Sequence, residues 1–224
     1  MKEPKFEVTE KEEVVKNIFN EKDEEMFAHL LKKAMGRTDD EPLPEGMIET
    51  PHRLAKYWTE AFAQGYLKDP TDHIKKVFKV EEHMTQEFVG DKYTNGIVVC
   101  KFKLYSHCEH HIAPFGTYKD NSWVYVAYIP DKLVVGLSKI PRMARGFAQR
   151  FQIQEKLTQD ICEALQNKLQ PQGVMVVMKD ISHSCVAIRG VKSEDATTTT
   201  SCVRGVFADN VAARQEALGL MNSL

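Results

Sequence analysis

The sequence predicts an α+β protein in which helices come first and a largely antiparallel sheet follows, with helices on one face. Three observations carry this. Up to about residue 65, apolar residues recur at helical spacing. From about residue 97 the pattern changes to short runs rich in β-branched and aromatic residues. Between the third and fourth of these runs lies one longer helical segment. With 224 residues and 42% hydrophobic content, the chain can bury one large domain or one domain with a helical extension.

Each element has its own cue. Residues 1–37 group Val14, Val15, Ile18 and Phe19, then Met26, Phe27, Leu30, Leu31 and Met35, which predicts two amphipathic helices. RTDDEPLPEGMIE (37–49) is a polar loop. In TPHRLAKYWTEAFAQG, Thr50 suits an N-cap, Pro51 the first helical position and Gly65 the residue past the end. Leu54, Tyr57, Trp58, Ala61 and Phe62 share one face, and Arg53 and Lys56 neighbour each other on a flank. The runs IVVCKFKLY, SWVYVAYIP, LVVGL, GVMVVMK, SCVAIRGV and TTTTSCVRGVF read as strands. Leu157, Ile161, Ala164, Leu165 and Leu169 mark the helix between the third and fourth, closed by Pro171 and Gly173.

Composition narrows the function. A formal charge of -2 argues against a general nucleic-acid binder. No apolar run approaches membrane-spanning length, and the charged N-terminus MKEPKFEVTEKEEVV does not read as a secretory signal, so a cytoplasmic protein is expected. Five scattered cysteines in such a chain favour free thiols and a metal site over a disulfide framework.

The densest chemistry is SHCEHH, residues 106–111. Cys108 and His111 stand in a C-x-x-H relation, which lets a thiolate and an imidazole converge on one ion from a tight turn. A further ligand is needed, and His183 and Cys185 in HSC are the candidates, two apart on a predicted strand and so on one face. Two thiolates and an imidazole suit Zn²⁺ with a fourth position open, as in catalytic sites; a fourth protein ligand would make the site structural. If Cys108, His111 and Cys185 bind the metal, His110 and His183 remain beside it to move protons, an apparatus for hydrolysis.

CEHH, VAYIP, GLSKIPR, QIQEKLT, HSCVAIRG and TTTTSCVRGVF, in this order, resemble type I GTP cyclohydrolase I. The resemblance runs from about Thr50 to the C-terminal helix, which marks residues 50–224 as the catalytic domain and 1–49 as a helical extension. It implies the tunnelling fold, with sheets of several subunits forming a β-barrel, commonly as a decamer of two pentamers. It also implies conversion of GTP and water to 7,8-dihydroneopterin triphosphate and formate, a first step of pterin and folate-type synthesis.

By the same resemblance Cys108, His111 and Cys185 are the zinc ligands. His110 protonates the purine at N7 before water attacks C8, and His183 serves the later proton transfers. Gln154 and Glu155 meet the guanine edge, while Ser138, Lys139, Arg142, Arg189, Arg53 and Lys56 hold the triphosphate. Guanidinium forks match phosphate oxygens, so a local basic lining reconciles an acidic chain with an anionic substrate.

Some features depart from the family pattern. IAPFGTYKDNSWVY is longer than expected, which a β-hairpin with a KDN turn would absorb. His107 stands where a small polar residue is more familiar and is expected to be exposed. Cys100 and Cys202 match no ligand position. Two rivals are a nitrile reductase of the same fold, which relies on NADPH and a cysteine nucleophile, and a non-catalytic scaffold with structural zinc.

Overall fold

The computed structural model describes residues 17–80 and 96–224, and the chain divides into two compact units, Met1–Glu60 and Ala61–Leu224. In the first, Asn20 caps helix α1 (Glu21–Ala34) through a reciprocal capping box with Asp23. Of the two predicted N-terminal helices this is the second; Val14 and Val15 lie outside the described residues, and Ile18 and Phe19 precede the helix. Phe19, Phe27 and Trp58 pack edge to face at centroid distances of 5.1–6.1 Å and tie α1 to α2 (Thr50–Trp58). Thr50 is the first residue of α2 rather than its cap; Glu49 holds the cap position, with no side-chain bond to the backbone of the first turn.

Gly65 does not end that helical stretch. A π-turn (Thr59–Ala63) follows α2, and Gly65 lies within α3 (Gln64–Leu67), which belongs to the second unit. A Cβ at Gly65 would meet Gly146 O at 2.3 Å and Gln149 O at 2.6 Å. The glycine is there for close packing, and its amide donates to Gln149 O.

The second unit is built on strands β1 (Val77–Lys79), β2 (Val98–Phe102), β3 (Tyr105–Cys108), β4 (Pro114–Gly116), β5 (Trp123–Ile129), β6 (Leu133–Val135), β7 (Phe151–Gln152), β8 (Gly173–His183) and β9 (Thr197–Gly205). Strands β1 and β6 form a small separate sheet. The main sheet has seven strands, antiparallel except where β7 joins β3 in parallel. Its centre is β8, eleven residues long, paired to β9 along one edge and to β5 and then β4 along the other.

That arrangement corrects the expected KDN hairpin. Strands β4 and β5 pair with β8 in succession rather than with each other, and residues 117–122 bulge out between them. Lys103 holds this bulge: its ammonium donates to the carbonyls of Lys119, Asp120 and Ser122 and lies 3.9 Å from the Trp123 ring centroid. Opposite, β8 has its own irregularity between Met178 and Ile181, with Asp180 at φ 55 and its carbonyl accepting from Ser122.

Strict alternation along β5 sorts the core. Val124, Val126 and Tyr128 face a cluster with α4 (Lys139–Ala148) and α5 (Gln154–Leu169), whose Ile140, Met143, Leu157, Ile161 and Leu165 are fully buried. Tyr125, Ala127 and Ile129 face a second cluster with Phe207 of α7 (Val206–Asp209) and Ala213, Ala217 and Met221 of α8 (Val211–Ser223). The predicted long helical segment is thus two helices, broken at Arg150 by the approach to β7; Gln170, at φ 46, closes α5.

Candidate active site

Strand β3 delivers Cys108 to the site with the thiol buried, and the chain then turns sharply through Glu109, His110 and His111. The turn is closed by Ile112 N–H donating to Cys108 O and Cys108 N–H to Ala113 O, both at 2.9 Å. Its cost is visible at Ile112, a β-branched residue held at φ 53. Here Cys108 Sγ and His111 Nδ1 face each other at 3.9 Å.

Cys185 completes the set by a route the strand pattern did not anticipate. The run SCVAIRGV is not a strand: β8 ends at His183, and Ser184–Ala187 form a one-turn helix, α6. The switch separates two side chains that a strand would have left on one face. Cys185 joins Cys108 and His111, with the three ligand atoms within 4.8 Å of one another. His183 turns to Gln154 instead, with Nε2 2.7 Å from Gln154 Oε1. Desolvation raises the Cys185 thiol pKa, and the adjacent Cys108 sulfur raises it further. A bound cation reverses that balance, since thiols ligate as thiolates.

The two histidines flanking the set are held differently. His110 is on the exposed side of the turn, its side chain 65% accessible and 3.9 Å from Glu109 Oε1. His183 is stacked on Phe115, centroids 4.9 Å apart and planes 7° from parallel. Its tautomer follows from its neighbour. The Gln154 amide nitrogen donates to Thr198 O and Thr200 Oγ1, so Oε1 must face His183, and the imidazole donates through Nε2. Nδ1 is then the accepting nitrogen. Desolvation holds the His183 pKa down, against a smaller opposing pull from the Glu155 carboxylate.

Gln154 and Glu155, adjacent in sequence, are therefore in different places. Gln154 is 1% exposed and sits behind His183; Glu155 is exposed and lines a cavity of about 510 Å³ with Gln159 and residues 200–204 of β9. Ser138, Lys139 and Arg142 stand together at the start of α4, an N-terminus that suits an anion. His73 belongs to that neighbourhood and was passed over in the sequence: desolvation lowers its pKa first, then the charges of Arg142 and Lys139. Arg189 stands instead beside the Cys108–His111–Cys185 cluster, its Nη1 2.6 Å from His111 Nε2. In the other unit, Arg53 and Lys56 are exposed on α2, and Arg53 pairs with Glu49 at 2.5 Å. His107 is buried rather than exposed, with Phe62 packed edge to face on its ring at 5.2 Å; its strand β3 lies between β4 and β7. Neither the Arg189–His111 contact nor the Phe115 stack left a signal in spacing, since each joins residues far apart in the chain.

A model of the family described as GTP cyclohydrolase I matches residues 24–222. The chain belongs to the GTP cyclohydrolase I family. GTP cyclohydrolase 1 of Carboxydothermus hydrogenoformans is 41% identical over 88% of this chain and 92% of its own. The enzymes of the same name from Pelotomaculum thermopropionicum and Clostridioides difficile are 40% and 36% identical, each over 98% of its own length and 91% and 90% of this chain. Among solved structures, an archaeosine synthase QueF-Like in the apo form overlaps 49% of this chain at 19% identity and a TM-score of 0.37, too distant to carry weight. Membership of the GTP cyclohydrolase I family does not favour the reductase alternative. Among the described residues, no helix is long and apolar enough to cross a membrane.

Proposed function

We propose that this protein converts GTP and water to 7,8-dihydroneopterin triphosphate and formate with Zn²⁺ held by Cys108, His111 and Cys185. The observation that carries the reading is the convergence of those three ligand atoms within 4.8 Å in a chain of this family. The donor set fits the ion: two soft thiolates and one imidazole, with no fourth His, Cys, Asp or Glu atom in the cluster among the described residues. When bound, zinc supplies the Lewis acidity that brings water near ionisation at neutral pH.

The protein's own groups do the rest. His110, exposed beside the ligands, gives a proton to N7 of the purine and makes C8 electrophilic. His183, anchored through Nε2 by Gln154, presents Nδ1 to take and return protons as the ring opens and formate leaves. Glu155 accepts from the guanine ring N–H and exocyclic amine, an edge that adenine reverses; Gln154 serves the purine by fixing His183. Ser138, Lys139 and Arg142 at the α4 N-terminus, with Arg189, bind the triphosphate, and Arg53 and Lys56 contact phosphate by family likeness. Residues 50–224 act as the catalytic domain, 1–49 as its extension, and the chain self-associates, as a decamer of two pentamers by family likeness. The reaction opens folate-type synthesis.

One preparation tests this, assayed for zinc and for formate with GTP and then ATP. The expected result is about one zinc per chain and formate from GTP only. Zinc without formate from GTP overturns the reading.

A further inference from the structure

Two threonines complete the wall behind Gln154. Thr158 stands four residues further along α5, on the same face of the helix, and is 1% exposed. Thr200 comes from β9, two residues on from Thr198; it is half-buried and also lines the cavity that holds Glu155.

Each threonine hydroxyl carries one hydrogen, and its neighbours decide where that hydrogen points. Thr158 Oγ1 lies 2.7 Å from Gln154 O, a carbonyl that can only accept, so the Thr158 hydrogen is directed there. Thr158 Oγ1 therefore meets Thr200 Oγ1, also at 2.7 Å, as an acceptor, and the Thr200 hydrogen points at Thr158. Thr200 Oγ1 is left with lone pairs alone for Gln154, whose Nε2 donates to it at 3.0 Å. The other amide hydrogen goes to Thr198 O at 3.1 Å, with Met178 O more distant at 3.5 Å. A flipped amide would set Oε1 against acceptors only. Oε1 is thus held toward His183 Nε2, 2.7 Å away. Every bond runs in one sense: His183 donates to Gln154, Gln154 to Thr200, Thr200 to Thr158, and Thr158 to the α5 backbone. The Phe115 stack cannot supply this. Near-parallel rings fix the plane of the imidazole and leave open which nitrogen carries the proton.

We propose that Thr200 and Thr158 are positioning residues for the reaction, their hydroxyls setting the sense of a hydrogen-bond chain that keeps the His183 proton on Nε2 and Nδ1 ready to accept. Both act through Gln154. The proposal rests on His183 as the proton carrier of the GTP reaction.

The test compares Thr200→Val, which keeps the side-chain shape and removes the hydroxyl, with Thr200→Ser, which keeps the hydroxyl. Zinc-loaded protein isotope-labelled at histidine is sedimented and its solid-state NMR spectrum recorded above the histidine titration range, with His183 assigned by the signals lost in His183→Asn. The wild type is expected to show one neutral tautomer protonated at Nε2. Thr200→Val adds the second tautomer, and Thr200→Ser does not. In steady-state assays with GTP, Thr200→Val lowers kcat by about threefold to tenfold while zinc content and KM hold. In a Gln154→Ala background the same substitution changes kcat by less than about twofold, because the link is already cut. The proposal is overturned if Thr200→Val keeps the wild-type tautomer, if it raises KM alone and so marks a substrate contact, or if its effect persists undiminished in Gln154→Ala. A proton on Nδ1 of His183 in the wild type overturns it whatever the variants do. The expected tautomer without formate from GTP overturns the GTP reading instead and leaves the hydrogen-bond chain standing.

Discussion

The turn after β3 and the wall behind His183 meet the same chemistry with different kinds of backbone. The turn is a short, partly exposed loop in which Cys108 alone is buried, and His110 and His111 face outward. The wall is packed: Gln154 is 1% exposed, its amide is bonded at both ends, and the imidazole it holds lies flat on Phe115. The difference separates two tasks. Gripping an ion needs the right donors within reach, and the strength of the bonds themselves corrects small errors of position. Placing a proton acceptor needs one tautomer in one orientation, and only a fixed network supplies that.

If this division is right, damage to the turn and damage to the wall have different readouts. The largest effect is expected from Cys108→Ala: zinc falls far below one per chain by elemental analysis, and formate release drops to background. Metal retention at wild-type level would remove Cys108 from the ligand set. Next is His110→Ala, which leaves zinc in place while turnover falls by about 10²–10⁴-fold; loss of the metal instead would mean that His110 rather than His111 is the ligand. Glu155→Ala comes third. Losing a charged hydrogen bond lowers kcat/KM for GTP by roughly tenfold to a hundredfold with zinc unchanged, and unchanged steady-state kinetics would remove Glu155 from the guanine edge. Gln154→Ala is the smallest and the sharpest. With His183 freed to rotate, kcat falls by about tenfold while zinc and KM hold steady. A rise in KM alone would show that Gln154 touches the substrate rather than its neighbour.

The same contrast explains what could be read without coordinates. The turn was legible because C-x-x-H needs only four consecutive residues, and ligand chemistry restricts which types occur there. The alternation of β5 and the helical stripe of α5 were legible because each periodicity is local. The wall was not. His183 and Cys185 looked like strand neighbours, and the end of β8 at His183, where α6 begins, is set by tertiary pairing with β4, which no window of eight residues contains. Gly65 was mistaken for a helix stop because close backbone approach and a positive φ both select glycine, and sequence does not distinguish them. His107 was expected at the surface because polarity suggested it; its burial goes with the Phe62 ring, which packs on the imidazole from a distant part of the chain. The 117–122 bulge looked like a hairpin turn because a Lys-Asp-Asn loop serves either purpose.

Strand β7 is only two residues long, yet it sets the dimensions of the whole centre. Its register pins Cys108 to Gln152, and Glu109 N–H reaches Gln152 O just beyond. Two residues later the chain supplies Gln154 and then Glu155. The spacing between Cys108, Gln154 and Glu155 is therefore measured by a ruler two ladder rungs long. An added residue anywhere in 117–122 lengthens a surface detour and leaves that ruler alone. A single residue inserted at 153 would leave every functional side chain present, correctly folded in its own element, and one step out of phase with its partners.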